Sequence, residues 1–127
     1  MPDSINDLEI YREAMDMGEV VWEMVVEWGY FAKDTVGKQL VRATDSIASN
    51  LSEGFGRYHY RDKKNFYYYS RASAGEAQTW VEKATRRSLI DPESARELYK
   101  RLDTLKKRIN AYIRTVGSGT TPSQTKD

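Results

Sequence analysis

The segment that decides the fold reads QLVRATDSIASNLSEGFGR and spans residues 39–57. Its apolar residues recur every three or four positions, which is the spacing of one face of an α-helix. Its polar residues recur at the same spacing and form a second stripe. The apolar stripe consists of Leu40, Ala43, Ile47, Leu51 and Gly54, and the polar stripe of Arg42, Ser46, Asn50, Glu53 and Arg57. We therefore predict an inner helix of a bundle, which ends near the glycines at positions 54 and 56.

The polar stripe is expected to be partly buried, because it lies directly beside apolar positions. Arginine and glutamate are costly to bury unless they are paired and hydrogen-bonded. We predict a structural network in which Glu76 or Glu53 meets Arg42. The predicted members are Arg42, Ser46, Asn50, Glu53, Ser73 and Glu76. The alternative is that Arg42 or Arg57 faces outward and contacts phosphate.

Three further segments show the same helical periodicity, and the four predicted helices span about residues 8–28, 35–54, 60–89 and 92–116. Asp34 or Thr35 is expected to cap the second helix, and Asp91 followed by Pro92 to begin the fourth. Short connections favour antiparallel neighbours. We predict an all-α fold, an up-down-up-down antiparallel four-helix bundle over residues 7–116. A flexible lead-in (1–6) and a disordered tail (117–127) are expected on either side.

The centre of the third predicted helix, residues 70–77, is rich in Ala, Ser and Gly. A glycine inside a helix costs about 1 kcal/mol relative to alanine. We therefore expect Gly75 to have a packing reason, namely a neighbouring backbone that approaches closely.

The composition predicts a protein without catalytic machinery. The chain has 127 residues and no cysteine, which suits one domain without disulfides or thiolate metal sites. The sequence has no run of about 18 apolar residues, so no membrane span is predicted. The N-terminus also lacks a signal-peptide pattern, and we therefore expect a cytoplasmic protein. The one histidine, His59, lies in a predicted loop. Because metal-binding histidine pairs and glycine-rich phosphate loops are also missing, we predict no enzyme activity, cofactor or metal.

Charge is distributed unevenly along the chain. Residues 1–34 hold nine acids and two bases, and residues 35–127 hold ten acids and eighteen bases, so the two parts carry −7 and +8. This asymmetry predicts contact between unlike parts of the molecule or of neighbouring copies. The alternative is that the first helix simply has an acidic solvated face.

Basic and aromatic residues are concentrated in residues 57–71, which contain five bases and six aromatics. Bases can hold phosphates, and aromatic rings can stack on nucleobases. A second basic group lies on the fourth predicted helix. The candidate nucleic-acid-binding residues are Arg57, Arg61, Lys63, Lys64, Arg71, Lys106 and Lys107. Alternatively, the bases are only solvated and some of the aromatics face the core, because consecutive tyrosines on a helix point about 100° apart.

Residues 39–57 also resemble the signature of a four-helix-bundle family encoded by intervening sequences of bacterial large-subunit ribosomal RNA genes. That signature is Q-x-x-R-A-x-x-S-I-x-x-N-I-x-E-G-x-G-R, and this chain departs from it only at Leu51, which replaces Ile. A second family motif, A-x-G-S-x-x-E, is matched at Ser73 and Glu76 but has Ala72 where Gly is usual. The resemblance covers roughly residues 8–116.

The resemblance implies closed rings, commonly of five copies, and a circumstantial link to RNA. A related accessory protein of diversity-generating retroelements is similar in architecture and acts with a reverse transcriptase and its RNA. Two hypotheses follow. The chain is a homo-oligomeric module that binds RNA or DNA, with a reverse transcriptase as a further candidate partner. Alternatively, it is a purely structural oligomer or protein-interaction scaffold, which a net charge of only +1 favours.

Overall fold

The computed structural model describes residues 2–118. Within this range the chain forms four long helices and no strand, which confirms the all-α prediction. The helices are α1 (Glu9–Val25), α2 (Lys38–Phe55), α3 (Tyr60–Arg86) and α4 (Pro92–Thr115). A short helix, Tyr30–Ala32, and a π-helical turn, Lys33–Gly37, run directly into α2. From residue 119 onward, the predicted tail (117–127) lies outside the described residues.

Contacts between neighbouring helices pair later residues of one with earlier residues of the other. Between α3 and α4, Arg71 Nη1 donates to Asn110 Oδ1 at 2.7 Å, and about two turns farther along α3, Gln78 Nε2 lies 3.3 Å from Asp103 Oδ1. Between α2 and α3, the Ser70 hydroxyl donates to the carbonyl oxygen of residue 47 at 2.7 Å. These bonds fix the register of α3 against both of its neighbours.

Two ion pairs join α1 to α4. Arg101 Nη2 lies 2.9 Å from Glu13 Oε1, and Arg108 Nη2 lies 3.1 Å from Glu9 Oε1. The acidic first part of the chain therefore contacts the basic last part, as the uneven charge distribution predicted. Each pair is partly solvated, so its net contribution is expected to be about 1 kcal/mol or less.

The core is formed by the apolar stripes of all four helices. Tyr67 is buried at its centre, with its ring centroid 5.4 Å from that of Tyr112 in an edge-to-face arrangement. Burial raises the pKa of the Tyr67 phenol, and Tyr112 adds to the effect. Gly54 makes room for this ring, because a Cβ at Gly54 would lie only 2.7 Å from Tyr67 Cε1. Gly54 is thus a packing residue of α2, and the helix ends one residue later.

The ends of the helices differ from the predictions at three places. The first helix ends at Val25, three residues before the predicted residue 28. The second helical segment begins at Tyr30, directly after Gly29, so the predicted cap at Asp34 or Thr35 is wrong; the Thr35 hydroxyl instead donates to a carbonyl within the helix. The third helix ends at Arg86, before the predicted residue 89, because Ser88 adopts a left-handed conformation with φ of 58°.

The start of the fourth helix confirms its prediction. The Asp91 carboxylate accepts a hydrogen bond from the backbone N–H of Ser94 at 3.0 Å, and Pro92 occupies the first helical position. Hydrogen bonding with Ser94 lowers the pKa of the Asp91 carboxyl. Within the predicted lead-in, Ser4 caps a single 3-10 turn, Ile5–Asp7.

The expected close contact at Gly75 is not found. No heavy atom lies within 4 Å of the position that a Cβ would occupy there, so the packing explanation is wrong for the described chain. The small residues that do face the core lie at other positions of the same segment, Ala74 and Ala77. Gly75 lies beside this buried face and is partly exposed.

Candidate nucleic-acid interface

The three consecutive tyrosines of α3 point in three directions. Tyr67 is in the core, whereas Tyr68 faces outward with the Arg71 guanidinium 4.9 Å from its ring centroid. Tyr69 lies on another side, edge-to-face with Phe66 at 5.5 Å. This confirms that the three rings cannot form one stacking platform, and it leaves Tyr68 as the ring nearest to the basic side chains of α3.

The Lys63 side chain is engaged in a contact between α3 and the end of α2. Its ammonium donates to the carbonyl oxygen of Phe55 at 2.8 Å and lies 5.6 Å from the centroid of the Phe55 ring. Burial lowers the pKa of Lys63. The side chain therefore satisfies a carbonyl at the C-terminal end of α2, where the helix leaves such groups without intrahelical partners.

Arg57 is likewise engaged locally. Its guanidinium lies 4.5 Å from the centroid of the Phe66 ring, and its Nη2 is 3.9 Å from a carboxylate oxygen of Glu53. The ion pair is exposed and spans one helical turn, so it is weak. Arg57 contributes positive charge near the start of α3, but its contacts with Phe66 and Glu53 leave it less able to bind a phosphate.

Arg61 and Lys64 are the candidate bases with the fewest competing contacts. No hydrogen bond or ion pair engages either side chain within residues 2–118. Both line a cleft of about 400 Å³ between the start of α3 and the end of α4. The other lining residues are Tyr60, Asn65, Tyr68, Val116 and Gly117. The cleft thus combines two cations that the described chain leaves available with two aromatic rings.

A line of basic and polar side chains continues from this cleft along the junction of α3 and α4. Lys64, Arg71 and Gln78 lie seven residues apart on α3 and therefore share one face. Arg71 contacts Asn110, and the Lys106 ammonium donates to Gln78 Oε1 at 2.8 Å. We refer to Arg61, Lys64, Arg71, Lys106 and Lys107 as the basic strip. From Lys64 to Gln78, the residue that Lys106 contacts, the basic strip extends about 21 Å at the standard helical rise.

One carboxylate interrupts the basic strip. Asp103 lies 3.7 Å from the Lys106 ammonium and 3.2 Å from that of Lys107. A hydrogen bond from Gln78 and the contact with Lys107 lower the pKa of Asp103, so this group stays ionised at neutral pH. Because the strip itself carries five cations, its charge remains clearly positive beside this carboxylate.

The predicted network of the polar stripe does not form within the described chain. Arg42, Glu53 and Glu76 are exposed, and no side-chain bond joins Arg42 to either glutamate within residues 2–118. Ser46 and Asn50 bond only to backbone carbonyls of α2, at 2.7 and 2.9 Å.

The prediction fails because of how α2 is oriented. The buried face of α2 also includes Thr44 and Ala48, which turns the polar stripe outward. Ser73 on α3 is half-buried and likewise forms no side-chain bond within residues 2–118. Arg42 and Glu76 are therefore exposed to solvent, where a charged side chain needs no protein partner.

A larger groove lies between α1 and α2, on the side of α2 that carries Arg42 and Ser46 of the polar stripe. It measures about 540 Å³, and its surface is mainly apolar through residues such as Trp22, Val26 and Val41; Arg42 and Asp45 also line it. Trp22 is 55% exposed. Burial raises the pKa of the Asp45 carboxyl, and nearby Glu19 adds to the shift.

Family comparison agrees with the signature in α2. The profile of the 23S rRNA-intervening sequence protein family matches residues 6–111. The chain belongs to this family. The matched range contains every member of the basic strip, but it ends before Val116 and Gly117, which close the cleft.

A solved structure supports the fold of this family member. The crystal structure of a protein of unknown function from the S23 ribosomal protein family, from Bacteroides thetaiotaomicron VPI-5482, matches with a TM-score of 0.75. The two sequences are 18% identical, and the match covers 84% of this chain and 99% of that chain. At this identity the likeness shows a shared fold. No curated relative matches the chain.

Two other kinds of site are not found in the described part of the chain. Residues 2–118 contain no group of three or more His, Cys, Asp or Glu side chains placed to hold a metal ion. Among the helices of the same range, none is both long and apolar enough to cross a membrane. His59 is exposed at the N-terminal end of α3, where its ring contacts Tyr58 edge-to-face at 5.0 Å.

Proposed function

We propose that the chain is a non-enzymatic, cytoplasmic, homo-oligomeric protein that binds RNA or another nucleic acid through the basic strip. The observation that carries this proposal is the cleft in which Arg61 and Lys64 lie beside Tyr60 and Tyr68. Cations that no protein group engages keep their full capacity for phosphate, and exposed rings can stack on bases. A merely solvated basic face does not need aromatic rings in the same cleft.

The arrangement of the helices supports a continuous binding track. The order of the contacts between α1, α2, α3 and α4 supports an up-down-up-down antiparallel bundle, in which α3 and α4 lie side by side along their length. The basic strip follows this junction for about 21 Å, which corresponds to roughly six base-pair steps of a duplex at 3.4 Å each. Several phosphates could thus be contacted at once.

Assembly into a homo-oligomer is supported by apolar surface that the single chain leaves uncovered. The exposed large apolar residues at and after α1 are Met15, Val20, Trp22, Val26, Tyr30 and Phe31. Two of them, Trp22 and Val26, line the groove between α1 and α2, and exposed apolar surface of this kind marks interaction sites. A closed ring of five copies is the form that the family resemblance suggests.

A more specific version of the proposal makes the protein an accessory of a reverse transcriptase. Its support is the similarity in architecture to the accessory protein of diversity-generating retroelements. The basic strip would then hold the RNA on which that enzyme acts. Co-purification of a reverse transcriptase encoded beside the gene, sensitive to ribonuclease, would support this version.

Binding across a salt series tests the main proposal. We expect labelled RNA to bind in a filter assay, with an affinity that falls steeply as salt rises. Replacing Lys106 and Lys107 with Gln should reduce the slope of log K against log salt by about 1 for each phosphate that is no longer neutralised. Lys83→Gln is the matched control, because Lys83 is on α3 near Trp80 and outside the strip.

The alternative function is a purely structural oligomer that binds only protein. The uncovered apolar groove between α1 and α2 and the net charge of +1 favour it. Absence of RNA and DNA binding at low salt, for a chain that sediments as a discrete oligomer, would support this alternative and overturn the nucleic-acid proposal.

A further inference from the structure

The cleft at the start of α3 holds its two outer rings in defined positions. Tyr68 is 41% exposed, and the guanidinium beside it is itself fixed by the bond from Arg71 to Asn110. Tyr60 is 56% exposed and packs against the turn after α4, where a Cβ at Gly117 would lie 3.1 Å from its ring. Each ring is therefore supported on one side and open on the other.

Gly117 has a specific role in this support. Its φ is +76°, a conformation that other residues adopt at a cost, and the space above it is occupied by the Tyr60 ring. The turn after α4 thus reaches the cleft through a residue without a side chain. A ring placed in advance binds a flat ligand without first losing conformational freedom.

The polar groups of the cleft complete the chemistry. Arg61 and Lys64 can each donate to an anionic oxygen, and the Asn65 side-chain amide can donate and accept in the same cleft. A volume of about 400 Å³ lies in the range typical of small-ligand sites. A ligand that matches these features has a flat aromatic part, a phosphate and hydrogen-bonding edges.

We propose that this cleft binds one unpaired nucleotide, with its base stacked on Tyr60 or Tyr68 and its phosphate held by Arg61 and Lys64. The inference rests on the proposed function and deepens it, because it makes a single strand, a loop or a strand end the preferred ligand. In a duplex the bases are stacked on one another inside the helix, so their faces cannot reach a ring on the protein surface. The remainder of the basic strip contacts phosphates and does not distinguish single strands from duplexes.

The test compares three probes: a ten-nucleotide adenylate RNA, a blunt RNA duplex of the same length, and free AMP. We expect Tyr60→Leu or Tyr68→Leu, whichever removes the ring that stacks on the base, to raise the Kd for the single strand at least about fivefold and to leave the Kd for the duplex unchanged. The variant with both replacements should show the same loss. Tyr60→Phe and Tyr68→Phe should bind as the parent does, because stacking needs the ring and not the hydroxyl. Tyr69→Leu is the matched control, because Tyr69 packs beside Phe66 and does not line the cleft.

The outcomes separate the two proposals. If the leucine variants bind the single strand as tightly as the parent while Lys106→Gln and Lys107→Gln weaken it, the cleft assignment is overturned and the basic strip stands. If the parent binds no strand at all, the proposed function fails. The cleft is then judged by titrating AMP and following the Gly117 amide by NMR. A saturable shift that is lost when Tyr60 and Tyr68 are both replaced with Leu retains the cleft assignment, and either no shift or a shift that persists in that variant overturns it.

Free AMP also shows whether the cleft binds an isolated nucleotide or only a nucleotide that is part of a strand. Competition by AMP at concentrations that saturate the NMR shift would mean that an isolated nucleotide suffices. Binding of the single strand without competition by AMP would mean that the nucleotide is taken only as part of a strand. Equal melting temperatures of parent and variants establish that weaker binding does not arise from unfolding.

Discussion

Replacing Gly75 with Ala is expected to stabilise the protein, because the glycine costs the helix stability and the structure shows no compensating contact. Gly75 lies inside α3, well away from both ends. The position of its absent Cβ has no neighbour within 4 Å. The added methyl group therefore enters open space, and the backbone loses freedom only in the unfolded chain.

The size of the effect follows from helix propensity. Alanine is favoured over glycine by about 0.8–1.0 kcal/mol in a helix interior, and no steric cost offsets this gain. For a domain of this length, 1 kcal/mol corresponds to roughly 4 °C in melting temperature. We therefore expect Gly75→Ala to raise the melting temperature by about 3–4 °C.

Thermal and urea unfolding followed by circular dichroism measure this change. Gly54→Ala is the matched control in the adjacent helix, since its Cβ would lie 2.7 Å from Tyr67 Cε1. Overpacking of this kind costs about 1–3 kcal/mol, so this variant should melt below the parent. A lower melting temperature for Gly75→Ala, above all one that depends on protein concentration, would refute the reasoning, because it would reveal a neighbour that the single chain does not contain.

Three further predictions concern single side chains. Ser88→Gly should raise stability by about 1 kcal/mol, because glycine adopts the left-handed conformation with φ of 58° without strain; a melting curve that is unchanged or shifted down would contradict this. Asp45→Asn should raise the melting temperature at pH 7 but not below about pH 4. The reason is that burial and Glu19 raise the pKa of Asp45, so the folded state loses stability as this carboxyl ionises with rising pH; a benefit that is constant across this pH range would show that charge is not the cause. Lys63→Met should lower stability by about 1 kcal/mol because the bond to Phe55 is removed, yet leave RNA affinity unchanged, and a large fall in affinity would return Lys63 to the interface.

The sequence was sufficient for the parts of the fold that depend on local chemistry. The apolar stripe of α2 is buried as its spacing predicted, and Asp91 followed by Pro92 begins α4 because an N-cap needs only its own helix. The sequence could not show where α2 begins. Nothing in the chemistry of Asp34 indicates that the segment is already helical from Tyr30, with one π-helical turn before α2.

The candidate site was predicted in composition but not in geometry. Lys63 and Lys64 are adjacent and chemically equivalent, yet Lys63 reaches the end of α2 while Lys64 lines the cleft. That difference depends on where the C-terminal end of α2 lies relative to the two lysines. The spacing of residues within α3 gives no information about that position. The polar stripe was misjudged for the same reason: its burial depends on the side from which α1 and α3 approach. Gly75 shows that small side chains do not by themselves indicate a contact.

The pairing of Gly54 with Tyr67 has a consequence for related sequences. The two residues share one fixed volume in the core, since the ring occupies the space that any side chain at position 54 would need. Evolution can therefore enlarge position 54 only by shrinking position 67 at the same time. Relatives that carry alanine or serine at the first are expected to carry a smaller residue at the second, and such coupled exchanges would trace this contact through the family.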